Sequence, residues 1–409
     1  MQHILKEIDP KVLGAKLKQA RVARGLKQDE VAEKLGLVRT TLVAMEQGTR
    51  RITARELVEL AKLYGRSISD WLGEEAPPSL PLVPQFRLPP HLKRLTEQDV
   101  QGSVEQLDSL AQDYLSLEKL NGTQLPRRYP PVYPFEIPGV NVELRGEEVA
   151  AEERIRLGLG DGPISNLREL LGEVVGIRVF FIDLPAAVGG LYAFNDELGA
   201  CIAINRKHPA PRALWSLAHE YGHFLTTRFM ADVSLWDEEP WGKLAAERFA
   251  DSFAKNFLMP RTGVNRHLTD AVRVHGKGVT VADVMTLSHQ YRVSAEAMFR
   301  RLEELKRLPS GTWAKLQERG FKAEQARQVL GLIPAKSKEP TVPFRYRILA
   351  LMAYDHREEL TEAQLAYLLR TDRVGARLEL DHLRGWADRH GDDGYEPVPT
   401  DPNEVLTPA

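Results

Sequence analysis

The sequence predicts a mainly α-helical chain with one small β-sheet, an α+β architecture divided among several domains. Three observations lead there. A chain of 409 residues is longer than one hydrophobic core usually fills, so two or three domains are expected. Apolar residues recur at helical spacing along most of it, as in Lys27–Leu35, Thr96–Leu120 and Lys243–Met259. Strand-like runs are confined to Val174–Ile182, Gly190–Phe194 and Ala200–Ile204, with Gly189-Gly190 and Asn195-Asp196 read as the turn formers between them.

Composition narrows the function classes. Apolar residues make up 43% of the chain without a long uninterrupted run or a secretory leader, so a soluble, cytoplasmic protein with no membrane partner is expected. Cys201 is the single cysteine, which excludes a disulfide framework and a thiolate-rich metal site. Within the apolar run Ala200–Ile204 it reads as a small buried residue.

Residues 11–73 form the first module. Helical spacing runs from Gly14 to Gly25, again over Lys27–Leu35, turns at Gly36-Leu37-Val38, and resumes from Arg39 to Glu46. Here Lys and Arg outnumber Asp and Glu by about 13 to 7, although the whole chain carries a net charge of −2. The segment, with Glu46-Gln47-Gly48 and Ala61-Lys62-Leu63-Tyr64-Gly65, resembles the Xre/Cro-type helix-turn-helix domain, which implies five helices and a DNA operator as partner. By that resemblance Arg39, Thr40 and Ala44 face base edges in the major groove, Arg39 being suited to guanine, while Gln28, Arg50 and Arg51 contact phosphates. Modules of this kind read paired half-sites, so a homodimer is compatible with the sequence.

Residues 74–140 read as a proline-rich linker carrying one amphipathic helix. Pro77, Pro78, Pro81, Pro84, Pro89 and Pro90 exclude regular structure and suggest a semi-rigid spacer. Val100, Val104, Leu107, Leu110, Ala111, Tyr114 and Leu117 then fall on a helical stripe, expected to pack on the next domain as a strut. A second proline cluster, Pro126–Pro138, follows.

Residues 141–306 hold the chemistry. In His219-Glu220-Tyr221-Gly222-His223 the two histidines stand four residues apart, so on a helix they point the same way and can grip one divalent cation. A third ligand and a supporting acid are available at Glu247 and Asp251, which share one face of the helix expected over Lys243–Met259. Glu220 would accept a proton from the attacking water while the metal polarises the scissile carbonyl. Asp251 would fix the ring orientation of a histidine ligand. Tyr192, His208 and Arg212 are candidates for stabilising an oxyanion, each with an ordinary structural role as the alternative.

The stretch from about Glu147 to Lys306 resembles the ImmA/IrrE family of metallopeptidases. Its pieces come in the family's order: paired acids Glu147, Glu148, Glu152 and Glu153, then Gly162-Pro163-Ile164, Gly176-Ile177-Arg178-Val179, Ile202-Ala203-Ile204-Asn205, Arg212 through Leu225, and Ala250-Asp251 through Leu258-Met259-Pro260. The resemblance implies a zincin-like domain with His219, His223 and Glu247 as zinc ligands and Glu220 as base. It also implies a helix-turn-helix repressor as substrate, cut in a DNA-damage or mobile-element response. Many relatives carry Asn where this chain has Asp251, and either residue suits a supporting role. Zn²⁺ is the default metal, and the mixed nitrogen and oxygen ligands leave Mn²⁺ and Fe²⁺ open.

Residues 307–384 read as a helical C-terminal region. Thr361–Ala366 followed by Arg373–Leu383 has helix-turn-helix spacing, which would suit a winged-helix-like module, and residues 385–409 read as a disordered tail. Two functional readings compete. One is a DNA-tethered zinc endopeptidase that cleaves a repressor or antitoxin-like protein in a stress response. The other is a DNA-binding transcriptional regulator whose metallopeptidase-like domain acts as a sensor or cuts its own chain. Glu220 favours the first, because a sensor needs ligands but no base.

Overall fold

A computed structural model of the protein describes residues 10–23, 26–64, 97–135, 137, 139–228, 232–235, 245–276, 278–332, 339–355 and 360–391. The fifth helix expected before residue 73, the proline-rich spacer over 74–90 and the end of the tail lie outside the described residues. Two compact units are present: Met1–Ala20 with Gln28–Gly73 and Arg345–Ala409, and Arg21–Lys27 with Glu74–Phe344.

In the first unit, α1 (Pro10–Ala23), α2 (Gln28–Lys34), α3 (Arg39–Glu46) and α4 (Ala54–Tyr64) enclose Leu13, Leu17, Val31, Leu42, Met45, Leu57, Leu60 and Tyr64. Most of the buried positions of these helices are apolar, so helical amphipathicity accounts for the bundle.

The second unit is a mixed sheet between helical layers. Before the sheet come α5 (Glu97–Asn121), α6 (Val142–Arg156) and α7 (Leu167–Glu169), the last continuing as a π-helical turn over Leu170–Val175. The strands are β1 (Arg178–Ile182), β2 (Val188–Asn195), β3 (Gly199–Asn205) and β4 (Asp232–Leu235), in spatial order β1-β3-β2-β4. β1 runs parallel to β3, pairing Arg178 with Cys201, and β2 runs antiparallel to both β3 and β4. Between β3 and β4 lies α8 (Ala210–Thr226); after the sheet come α9 (Ala245–Leu258), α10 (Arg261–His275), α11 (Val281–Gln290), α12 (Ala295–Glu304), α13 (Thr312–Glu318) and α14 (Ala323–Val329).

Two strand expectations need correction. Val174 and Val175 belong to the π turn, and β1 starts only at Arg178 after Gly176, whose φ of 92° ends the helical hydrogen bonding. Gly189 and Gly190 are not a turn but lie inside β2, where the pairing with β4 has an irregularity between Val188 and Gly190.

Both faces of the sheet are covered. Val179, Phe181, Ile202 and Ile204 join one core with Leu217, Tyr221 and Phe224 of α8. On the opposite face α5 brings Tyr114 edge-on to Phe180 and the carboxylate of Glu118 to 2.7 Å from Arg178, a fully buried ion pair. The helix expected as an amphipathic strut is thus apolar-buried on much of its circumference, with Asp108, Ser109 and Asp113 buried as well. Cys201 is buried in β3, and burial pushes its thiol up to about 12, which makes it a packing residue. The outer edge of β1 is met by residues 340–341: Phe181 donates to the Thr341 carbonyl at 3.0 Å, and Arg168 donates to the carbonyls of Val179, Pro340 and Thr341.

In the C-terminal segment, α15 (Phe344–Asp355), α16 (Glu362–Leu368) and α17 (Arg373–Gly391) follow. Thr361 closes a capping box with Gln364 at the start of α16, and a four-residue turn with Arg370 at positive φ leads into α17. α17 reaches Gly391, beyond the start expected for the tail, and a wing strand is not found among the described residues.

Candidate metal centre

The centre is built where α8 and α9 cross. α8 is apolar along most of its length and buried from Ser216 to Thr226, so the polar side chains it carries inward must meet other polar groups. His219 and His223, one turn apart, bring their Nε2 atoms to 3.0 Å of each other. Glu247, in the first turn of α9, spans them: Oε2 lies 3.3 Å from His219 Nε2 and Oε1 lies 3.2 Å from His223 Nε2. The ligand atoms of these three residues all fall within 4.8 Å of one another. Asp251, one turn further along α9, places Oδ1 3.0 Å from His219 Nδ1.

The donor set fits a divalent cation. Two imidazole nitrogens and one carboxylate match a three-ligand site that leaves room for a water or substrate, and Asp251 engages the far nitrogen of His219 as a ligand histidine requires. The charges of the cluster also attract one another. Burial alone would push the His219 imidazole down, but the Asp251 and Glu247 carboxylates outweigh it and hold the ring well above its ordinary value. Burial likewise works to raise Glu247, yet His223 and His219 hold its carboxyl well below the usual range.

Glu220 is fully buried on the same helix but is not one of the three donors. Its carboxylate lies against the β2 backbone at Gly190. On the other side of the α8 helix, Tyr221 and Tyr133 both donate to the buried carboxylate of Glu153, which also takes two hydrogen bonds from Arg156 at 2.8 Å. That network ties α8 to α6. The paired acids of α6 therefore divide: Glu153 is interior, while Glu148 and Glu152 sit at the surface with Arg145.

Of the oxyanion candidates, Tyr192 is buried and donates to the Arg228 carbonyl at 2.6 Å, and His208 Nε2 lies 2.9 Å from the Ala186 carbonyl. Both are engaged with backbone in loops that flank the sheet. Arg212 stands in the first turn of α8.

The role of one glycine was not drawn from the sequence. A Cβ at Gly222 would stand 3.1 Å from the Ala250 Cα, so Gly222 permits the close approach of α9 that carries Glu247 and Asp251 to the histidines. A glycine inside an apolar helix costs about 1 kcal/mol, and that cost is the signal that could have marked it.

In the first unit, Arg39 and Thr40 are exposed and Ala44 is half-buried, opposite the buried Leu42 and Met45. Arg39 stands 3.6 Å from Asp29. Gln28 donates to Glu46 at 2.8 Å, Arg50 pairs with Glu56 at 2.8 Å, and Arg51 is exposed.

Comparison with known proteins agrees with this division. Residues 17–71 match the helix-turn-helix family model, and residues 173–303 match the peptidase-family model described as the IrrE N-terminal-like domain. The chain is similar to the cryptic phage CTXphi transcriptional repressor RstR of Vibrio cholerae, 33% identical over 63 residues, which is 15% of this chain and 57% of that protein. The chain thus spans little more than half the length of this relative. No solved structure matches. The second match contains His219, Glu220, His223, Glu247 and Asp251, whereas α5 and α6, which pack onto that core, lie before it. The chain joins a helix-turn-helix domain to an IrrE N-terminal-like domain.

Proposed function

We propose that the chain is a metal-dependent endopeptidase carried by a DNA-binding domain, and that it cleaves a repressor or antitoxin-like protein to control transcription in a stress, DNA-damage or mobile-element response. The observation that carries this reading is the convergence of His219, His223 and Glu247 from two helices beside a buried Glu220.

His219, His223 and Glu247 would hold the metal, with Zn²⁺ as default and Mn²⁺ or Fe²⁺ as alternatives. A divalent cation there supplies Lewis-acid polarisation of a peptide carbonyl and of the attacking water. Glu220 takes a proton from that water and hands it to the leaving amine. Asp251 keeps His219 in the tautomer whose Nε2 faces inward. Arg39, Thr40 and Ala44 read base edges, and Arg50 and Arg51 contact phosphate. Gln28 supports the recognition helix through Glu46 and reaches phosphate from there. The first unit recognises an operator as a homodimer, and the chain acts in the cytoplasm. The kinship of a 63-residue stretch with a phage repressor supports the operator as target.

The test mixes purified chain, Zn²⁺ or Mn²⁺ and candidate repressors, with Glu220→Gln as control. Loss of the repressor with wild type but not with Glu220→Gln is the expected result. Cleavage of the chain itself would point to self-processing, and an equally active Glu220→Gln would remove Glu220 from the role.

A further inference from the structure

We infer that Gly190 is a positioning residue for Glu220: β2 lacks a side chain at this point so that the carboxylate of the base can occupy its place beside the centre. This rests on the peptidase reading for the role of Glu220, but its geometric core does not. A Cβ built on Gly190 would meet Glu220 Oε1 at 2.4 Å, Cγ at 2.8 Å and Cδ at 2.9 Å. All three nearest atoms belong to one side chain.

Backbone conformation does not explain the glycine, since Gly190 lies in a strand and its φ is outside the left-handed region. Space is the remaining reason. β2 cannot retreat from an added methyl group, because Gly190 is paired with Ile204 of β3 on one side and with Ser234 of β4 on the other. α8 cannot retreat either, being buried along its inner turns and packed at Gly222 against Ala250. The flexible end of Glu220 is what must give. Alanine at position 190 would therefore leave the fold and the three metal donors in place while moving the carboxylate.

The experiment uses the full chain as wild type, Gly190→Ala, Glu220→Ala and the double variant. Thermal melting of the four forms gives a cycle that needs no substrate. Gly190→Ala lowers Tm in the wild-type background and has no further effect in the Glu220→Ala background, where Cγ, Cδ and Oε1 are gone. An equal drop in both backgrounds overturns the inference. Zn²⁺ content per chain stays at the wild-type level in Gly190→Ala, and loss of metal also overturns it. With unfolded casein as probe, kcat of Gly190→Ala falls by about 100-fold with KM little changed, the scale of a misplaced general base. Wild-type kcat in this variant counts against the inference. Casein left intact by the wild-type chain counts against the peptidase reading, and the melting cycle then judges Gly190 by itself.

Discussion

Asp251 contacts His219 Nδ1 at 3.0 Å from a carboxyl that is about one-third exposed. Removing it should cost little stability and much metal affinity. Asp251→Ala is expected to weaken Zn²⁺ binding by about 10- to 100-fold in a chelator-competition titration, with Asp251→Asn losing less because its amide oxygen can still accept from the ring. Unchanged affinity in the alanine variant would mean that packing alone orients His219. Glu153 is the converse case, a fully buried acid holding two tyrosines and Arg156. Glu153→Ala removes the acceptor of four hydrogen bonds, and a loss on the order of 3 kcal/mol is expected in denaturant unfolding. At this scale the sequence was most legible where ligands are close together, since His219 and His223 announce themselves by their spacing. Glu153 was visible only as one acid among four, because nothing local says which of Glu147, Glu148, Glu152 and Glu153 turns inward.

Between elements, the approach of α9 to α8 sets whether Glu247 and Asp251 reach the histidines. Gly222→Ala adds a methyl group 3.1 Å from the Ala250 Cα and 3.3 Å from its Cβ, so α9 must yield by a few tenths of an ångström. The gain in helix propensity, about 1 kcal/mol, offsets much of the packing cost. The expected outcome is a Tm near that of wild type with Zn²⁺ affinity lowered several-fold, because Ala250 lies between the two acids that α9 presents. α11 offers a pH test: Thr280 and Asp283 form a capping box, and His275 lies 3.1 Å from the same carboxylate. Burial works to raise Asp283, but the Thr280 backbone and hydroxyl hydrogen bonds and His275 together outweigh it and hold the carboxyl below its ordinary value. A depressed acid stabilises the fold above its unfolded pKa and less as pH falls through the folded one. The penalty of Asp283→Asn, on the order of 1 kcal/mol at neutral pH, should therefore shrink below about pH 4, as read by urea unfolding across that range. Elements with one apolar face, such as α9 and α12, were legible from periodicity. α5 was legible as a helix too, but not how much of its surface is buried, and the start of β1 was obscured because Val174 and Val175 suit a strand by composition but are held in a π turn.

For the molecule as a whole, the two matched domains carry separable chemistry, with exposed Arg39 at the start of α3 in one unit and the candidate metal donors in the other. No helix among the described residues is long and apolar enough to cross a membrane. The order of the modules was legible because each has a dense local motif, whereas the packing of α5 onto the sheet depends on contacts between residues some sixty positions apart, such as Glu118 with Arg178. Separable chemistry has a consequence for variants. Arg39 is largely exposed and its 3.6 Å pairing with Asp29 is a surface contact of small value, so the guanidinium can exchange that partner for a base edge at little cost. Arg39→Ala should weaken operator binding by about 10- to 100-fold and relax the preference at one base pair. Arg51→Ala should instead weaken all sequences alike and reduce the slope of log affinity against log salt by about one. Both variants are expected to keep wild-type Zn²⁺ content and to cleave a free protein partner at the wild-type rate when DNA is absent. Operator DNA added to the mixture should restore a difference, because only the wild-type domain holds the peptidase beside a partner bound at the same site, where linkage raises its local concentration. Electrophoretic mobility shifts over a salt series, run beside cleavage with and without operator, measure both halves. Loss of Zn²⁺ from Arg39→Ala would show instead that the units fold and bind metal as one.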